Sequence, residues 1–582
     1  MCCRQQALLL ATIALPGSSA SRTPPRSLTG QTVAVVGGGV GGLVSAGLLA
    51  AHGAHVTVFE QRSKSGGRLG ERRLGPGGEW RFDVGPSLLL MPEVYAQTFE
   101  LLGDPLPLEM TDVTAPFYHA YFDGDARGTA PIQLDPARRR AALERALEQL
   151  EGHPGDSMER FDRYMSASRA SLDGGWPLAI EERWDWATVS QVLPRFARAA
   201  LADFPANLPV GQSHMAQLER YFPRSERVRA LLSFQDLYVG LSPFEAPAVF
   251  SLLQAMELDA DCPQYGVRYP LGGFGQVARK LEARCDALGV TRLHGSRVVR
   301  VEVSESDGDA GREARATGVR VQSADGTMST VDADIVLCNA DLPAAEASLL
   351  ELPWSRAAEL RGAASSSSVV SFSFALDAQF DEALAHHSIL FAHDLGRGPW
   401  EALFGASRPS SFLPVRDPPA AWEPGHFYVH CPTRTDASAA PPGCDAITVL
   451  LPTPPLPPDL DDTEAEALSL RWTELGRAAV VERLSNLPGM SEWTSHICDE
   501  LVITPAQWRR EYGLSRGAVF GLASGLNQLS FLRPGPKHPR VRNLYYTGAS
   551  ARPGNGVPLV MTGARLTSEL IARECGAQEV SD

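Results

Sequence analysis

The sequence predicts an α/β fold, with a Rossmann-like domain built from separated segments beside a second, mixed α+β domain. Three observations carry that expectation. Within residues 31–60 an apolar strand runs into a glycine-rich turn, a helix of small residues and a second strand. A glycine-rich strand-to-helix corner lies near the other end of the chain, within residues 543–571. The 582 residues are 44% hydrophobic and 21% charged, a composition that fills a large core and excludes general disorder.

The first unit is read element by element. Gln31 to Val36 (QTVAVV) is a β-branched apolar run, the pattern of a buried strand. GGGVGGL follows and sets Gly37, Gly39 and Gly42 in GxGxxG register. Leu43 to His52 has helical spacing with Gly53 as its C-cap, and His55 to Phe59 is a second strand ending at Glu60. Each residue type has a task. Gly37 permits the tight turn, Gly39 lets backbone approach a pyrophosphate, and Gly42 lets helix and strand pack closely. The anion rests on free amides at the positive helix end, and Glu60 sits where an acid holds a ribose hydroxyl. FAD and NAD both satisfy this much.

Composition narrows the function. A net charge of −15 argues against nucleic acid as a partner. No run of 18 apolar residues occurs, so a spanning helix is not expected. The nine cysteines are scattered without a CxxC pair, which indicates neither a disulfide framework nor a metal site. Only Lys64, Lys280 and Lys537 are available to any chemistry that needs a lysine. Length alone suggests about four domains.

Residues 1–30 read as a targeting leader. Arg4 precedes an apolar run from Ala7 to Pro16 and the small residues Gly17 to Ala20, as in a secretory signal. Ser21 to Gln31 is hydroxylated, carries two arginines and lacks acids, as in a transit peptide. The combination leads to the expectation of a plastid, reached through the secretory route, with a cytoplasmic membrane surface as the alternative.

After Glu60 comes SGGRLG, with Gly66, Gly67 and Arg68. A glycine pair and an arginine at this place resemble the second fingerprint of FAD-dependent amine oxidases and carotenoid desaturases. The string DVGPSLLLMPEVYAQTFELL (83–102) resembles the bacterial and fungal phytoene desaturase family. So do DLYVGLSPFEAPAVFSLL (236–253) with GVRYPLGGFGQVARKL (266–281), FYVHCPTRTDASAAPPGCDAITVLLP (427–452) and NLYYTGASARPGNGVPLVMTGARLTSELI (543–571). The resemblance spans residues 31 to about 573.

The resemblance implies FAD as cofactor, with Gly67, Arg68, Gly85, Pro86 and Ser87 helping to hold it and the backbone near Val298 bordering the adenine. Gly548 opens the C-terminal turn, and Gly556, Val557 and Pro558 begin a helix whose amides can face the electron-rich edge of a flavin. Val298–Val303 and Asp334–Cys338 are expected as strands of the same domain. That domain is expected over 31–115, 266–342 and 515–573, and a substrate and membrane-associated domain over 116–265 and 343–514. Residues 304–316 read as a surface hairpin.

The implied reaction is desaturation of a lipophilic polyene such as phytoene, by hydride transfer to FAD and proton loss. Oxygen or a quinone is the candidate final acceptor. The aromatic and basic stretch 173–210, with Trp176, Trp184, Trp186, Phe196 and Phe204, is a candidate for peripheral membrane contact or for a packed helical face. His386, His387 and His430 are noted, but no catalytic acid or base is assigned. Three other readings stand beside desaturation: a carotene isomerase using reduced FAD, a flavin amine oxidase, and a non-catalytic prenyl-binding escort.

Overall fold

The computed structural model describes residues 28–576, apart from 105–107, 135–139, 153–154, 177–189, 191–192, 195–196, 209–210, 260–265, 305–313, 351–355, 357–359, 361–362, 406–421, 526–527, 529–531 and single positions between these. Apolar β-branched residues on consecutive positions, such as Val33, Val35, Val36, Val56 and Val58, suit strands covered on both faces. They form a five-stranded parallel sheet in the order Leu544–Tyr546, Ile335–Cys338, Thr32–Val36, His55–Glu60 and Thr291–His294. Register is set by pairs such as Val33 with Ile335 and Val56. The helix Val40–Ala51 packs against Gly275–Ala287 and the C-terminal helix Val557–Gly576. Leu43, Val44, Leu281 and Met561 are buried together there. The C-terminal helix spans 20 residues.

The expected strand at Val298 forms, outside the parallel sheet. It lies in a separate sheet formed by Arg297–Ser304, Ala314–Gln322, Met328–Asp332 and Val541–Arg542. The reason is the antiparallel pairing of Val298 with Val321, which takes the strand off the parallel edge. The antiparallel pair Ser304 with Arg315 flanks residues 305–313, as a hairpin insertion requires. Leu28, within the segment read as leader, is fully buried and donates its amide to His52, so packing begins before Gln31.

The second large sheet has seven strands. Its order is Ile497–Ile503, Ser368–Leu376, Asp445–Thr453, Phe427–His430, His387–Phe391, Tyr118–Phe122 and Ile132–Leu134. All neighbours are antiparallel except His387–Phe391 on Tyr118–Phe122. The helix Asp462–Ser485, opened by an Asp461/Glu464 capping box, covers this sheet, its Trp472 sharing a core with Leu451 of the strand Asp445–Thr453. Among the described residues no helix is long and apolar enough to cross a membrane.

Trp508 joins the two bodies. It is 2% exposed, packs with Val84 and Val369, and donates its indole N–H to the Val369 carbonyl at 3.1 Å. Trp508→Ala is expected to destabilise the fold by about 3–5 kcal/mol, the range for emptying a buried aromatic site. A clear fall in the melting midpoint, followed by circular dichroism, is the expected result. An unchanged midpoint would contradict the packing described.

Candidate functional site

The glycine turn is held from three sides. Gly37 has φ +96° and donates its amide to the Phe59 carbonyl at 2.9 Å. A Cβ on Gly42 would lie 2.1 Å from the Gly37 carbonyl oxygen, a contact no side chain can make. Glu60, 7% exposed, accepts the Gly38 amide on Oε2 and the Arg62 amide on Oε1, both at 2.9 Å. A carboxylate has about four lone-pair sites, so two stay open for a hydroxyl.

The second glycine motif folds back onto the first. Gly66 donates to the Gly38 carbonyl at 2.8 Å, and Gly67 sits against Gly39, where a Cβ would stand 3.3 Å from the Gly39 Cα. Arg68 is half-buried, and its guanidinium donates to the Val519 carbonyl. Burial pulls that guanidinium down from its ordinary value, and the Asp341 carboxylate partly offsets the pull. Gly85 passes so close that a Cβ would be 2.6 Å from the Arg68 carbonyl oxygen. Pro86 and Ser87 follow half-buried, and Ser87 Oγ accepts from the Tyr428 hydroxyl at 2.8 Å.

The two remaining segments come to the same rim. Ser296, two residues before Val298, donates its amide to the Glu60 carbonyl at 2.9 Å, which fixes the buried Val298 beside that strand end. At the other side a Cβ on Gly548 would meet Asn339 Oδ1 at 3.3 Å, and one on Gly41 would meet Val560 Cγ1 at 3.0 Å. The helix begun by Gly556, Val557 and Pro558 therefore starts beside the helix begun by the glycine turn. Neither first turn carries an acid, so both positive helix ends remain available to an anion.

Sequence reasoning missed the residues that tie these parts together. Asn339 donates to the Gly37 carbonyl at 3.1 Å. Asp341 accepts from Ser550 Oγ at 2.6 Å and the Ser515 amide at 2.9 Å, and burial raises its carboxyl. Arg533 is fully buried on the Leu522 and Ala549 carbonyls, with its guanidinium lowered to about 10 by burial. The available signal was the polar string Asn339-Ala340-Asp341 just after a buried strand, where open α/β sheets place ligand groups.

The noted histidines form one buried group. His386 meets His430 Nε2 to Nε2 at 3.1 Å and Thr435 Oγ1 at 2.7 Å. Burial holds all three rings below their ordinary value, His430 at about 3, so they are neutral near pH 7. The lysines stand elsewhere: Lys64 is exposed, Lys280 is on the helix Gly275–Ala287, and Lys537 pairs with Glu574 at 3.0 Å. Of the aromatic stretch, Trp184, Trp186, Phe196 and the Trp176 side chain lie outside the described residues.

This arrangement of two glycine motifs, a terminal acid and two helix starts without first-turn acids suits a flavin cofactor. The chain belongs to the flavin-containing amine oxidoreductase family, whose profile matches residues 40–421, and it is a flavin-dependent oxidoreductase. It is 33% identical to the zeta-carotene-forming phytoene desaturase of Myxococcus xanthus, over 95% of this chain and 96% of that protein. It is 32% identical to the phytoene desaturase of Neurospora crassa, covering 94% and 85%. Among solved structures, the cyclohexylamine oxidase of Brevibacterium oxydans shares the fold at a TM-score of 0.55 and 16% identity, covering 94% of this chain and 99% of that one. An oxidoreductase from Methanosarcina mazei does so at 0.54 and 18%, covering 92% and 100%.

Gly42→Ala forces its Cβ into the Gly37 carbonyl, whereas a Cβ on Gly556 meets nothing within 4 Å but must take φ +99°. Purified Gly42→Ala protein is expected to carry less than about a tenth of the wild-type flavin, because backbone must shift to accept it. Absorbance at the flavin bands per mole of protein measures this, and full flavin content in Gly42→Ala would contradict the geometry.

Proposed function

We propose that the protein desaturates a linear carotene such as phytoene with FAD as its cofactor, in carotenoid biosynthesis. The observation that carries the reading is full-length similarity to phytoene desaturases, at 33% identity, with the glycine cradle and its acid intact. FAD fits the site on two grounds. The open lone pairs of Glu60 suit an adenosine ribose hydroxyl, and the adjacent helix starts, with no acid in either first turn, suit a pyrophosphate and an electron-rich ring edge. When bound, the cofactor supplies a two-electron acceptor for hydride.

The chain's own residues supply the rest. The amides after Gly39 hold the pyrophosphate, Glu60 and the backbone near Val298 hold the adenosine end, and Gly67, Arg68 and Gly85 to Ser87 line the far side. Gly548 and the helix start at Gly556, Val557 and Pro558 set amides toward the ring. The segments 31–115, 266–342 and 515–573 form the cofactor-binding unit, and 116–265 with 343–514 the substrate unit. The buried aromatic core of the latter, including Phe234, Phe391 and Tyr428, supports an apolar, dry site for a polyene.

Delivery of a water-insoluble substrate is assigned to peripheral membrane contact, supported by the exposed Leu193, Leu201 and Phe204. The leader supports a plastid location, and oxygen or a quinone is the final acceptor. The lysine-poor site disfavours amine oxidation.

Anaerobic incubation with phytoene in liposomes tests the reading. Bleaching of the flavin together with new, longer-wavelength polyenes is expected. A changed isomer ratio without net flavin reduction would replace desaturation by isomerisation.

A further inference from the structure

One buried acid is left over from the cofactor cradle. Glu257, on the helix Leu252–Leu258, is 4% exposed and lies in the interior of the substrate unit. Its Oε2 accepts from the Tyr118 hydroxyl at 3.0 Å and from Gln235 Nε2 at 3.1 Å. Gln235 is in turn fixed by Gln254, whose Nε2 donates to Gln235 Oε1 at 3.0 Å. Glu257 Oε1 is buried and has no partner. An unpartnered buried acceptor is costly, so a site that keeps one calls for a ligand or a chemical role.

The surroundings connect this acid to the cofactor motifs. The Tyr118 ring lies 5.3 Å from the His387 ring, and His387 Nδ1 meets the Tyr428 hydroxyl. Tyr428 donates to Ser87 Oγ at 2.8 Å. His387 Nδ1 is therefore the donor in its pair with Tyr428, and Nε2 is a bare acceptor, buried and without a partner. From the other side, Asn555 of the GNGVP corner donates to the Tyr238 carbonyl. The phenols of Tyr118, Tyr238 and Tyr428 and the Glu257 carboxyl act on one another electrostatically. Ser87 thus bonds the Tyr428 hydroxyl directly, and Asn555 fixes the backbone that carries Tyr238.

We propose that Glu257 is the proton acceptor of the desaturation, with Tyr118 and Gln235 as positioning residues that hold its carboxylate. The inference rests on the desaturase reading above. The bookkeeping is complete. One C–H bond of the saturated carbon pair breaks with its two electrons leaving as hydride to the flavin. The C–H bond on the neighbouring carbon breaks, its electron pair becomes the new π bond, and the proton goes to Glu257 Oε1. The polyene is oxidised by two electrons and the flavin reduced by two. A carboxyl serves at neutral pH only if its proton affinity is high enough to hold what it receives. Burial pushes Glu257 up to about 7, with the Gln235 and Tyr118 hydrogen bonds opposing the shift.

The other groups around this acid do not replace it. Tyr118, Tyr238 and Tyr428 are raised by burial and stay protonated. His387 is held low by burial and has little affinity for a proton. On the neighbouring helix Ser157–Trp176, Arg169 pairs with Asp259 and Tyr164 meets His214, which is bound to Asp236.

The test uses Glu257→Gln and Tyr118→Phe in the flavin-loaded enzyme, with wild type run in parallel. Carotene-driven flavin reduction in wild type is expected to rise with pH through about 7, as the carboxyl ionises. Glu257→Gln is expected to lose that limb and to react about 10²-fold more slowly or worse, the usual worth of a general base. Tyr118→Phe removes a hydrogen bond that lowers the carboxyl, so its limb moves to higher pH. Independently of turnover, infrared titration of the substrate-free protein is expected to show two near-neutral carboxyl bands in wild type, Asp83 near 6 and Glu257 near 7, of which Glu257→Gln keeps only the first. If wild type fails to desaturate, the functional reading falls. If wild type desaturates while Glu257→Gln keeps both limb and rate, or the Tyr118→Phe limb stays in place, the assignment of Glu257 falls.

Discussion

Glu60 leaves the end of its strand with both carboxylate oxygens already engaged, one by the Gly38 amide and one by the Arg62 amide. That double acceptance sets the glycine turn against the chain that leaves the second strand. The SGGR segment can then dock by the bond from Gly66 to the Gly38 carbonyl. The Glu60 backbone carbonyl takes the Ser296 amide, which brings in the segment that carries Val298. Three parts of the cradle depend on one residue whose side chain and backbone are used at once.

The second constraint is polar and lies between the two bodies. Asp83 accepts from the Tyr269 hydroxyl and the Phe274 amide, while Arg81 in the same strand pairs with Asp436 at 2.7 Å. The Arg81–Asp436 pair is nearly buried, so removing one partner would strand the other charge in a low-dielectric interior. Burial raises the Asp83 carboxyl to about 6 against the pull of Tyr269 and Arg81. Arg81 ties its strand to the segment at Asp436 that links two strands of the antiparallel sheet, and its charge acts on the His430 ring. The glycine-motif segments and the antiparallel sheet are thereby held in a fixed relation.

Much of the cradle was legible in the chain because its requirements are local. A strand, three glycines, a helix and an acid at fixed spacing leave few alternatives, and Gly42 and Glu60 sit where that spacing puts them. The C-terminal corner was legible through glycines at Gly548 and Gly556. The pairing of Val298 outside the parallel sheet was not, because β-branched periodicity reports burial and not partner choice. Asn339, Asp341, Arg533 and Glu257 were invisible for a related reason. Each acts through contacts with segments far away in the sequence, such as Ser550 on Asp341 and Tyr118 on Glu257. Length suggested several domains in a row, whereas the sheets are assembled from strands that alternate between two bodies along the chain.

The proposed hold of the Glu60 loop on FAD is open to direct measurement. Calorimetric titration of flavin-free protein with FAD, for wild type and Glu60→Gln, addresses it most directly. A glutamine amide can accept only one of the two backbone amides and presents a donor to the other, a mismatch of about 1–3 kcal/mol. One FAD per wild-type chain is expected, with binding at least about 5-fold weaker in Glu60→Gln. Equal affinity in the two proteins, or no FAD binding by wild type, would contradict the proposed hold.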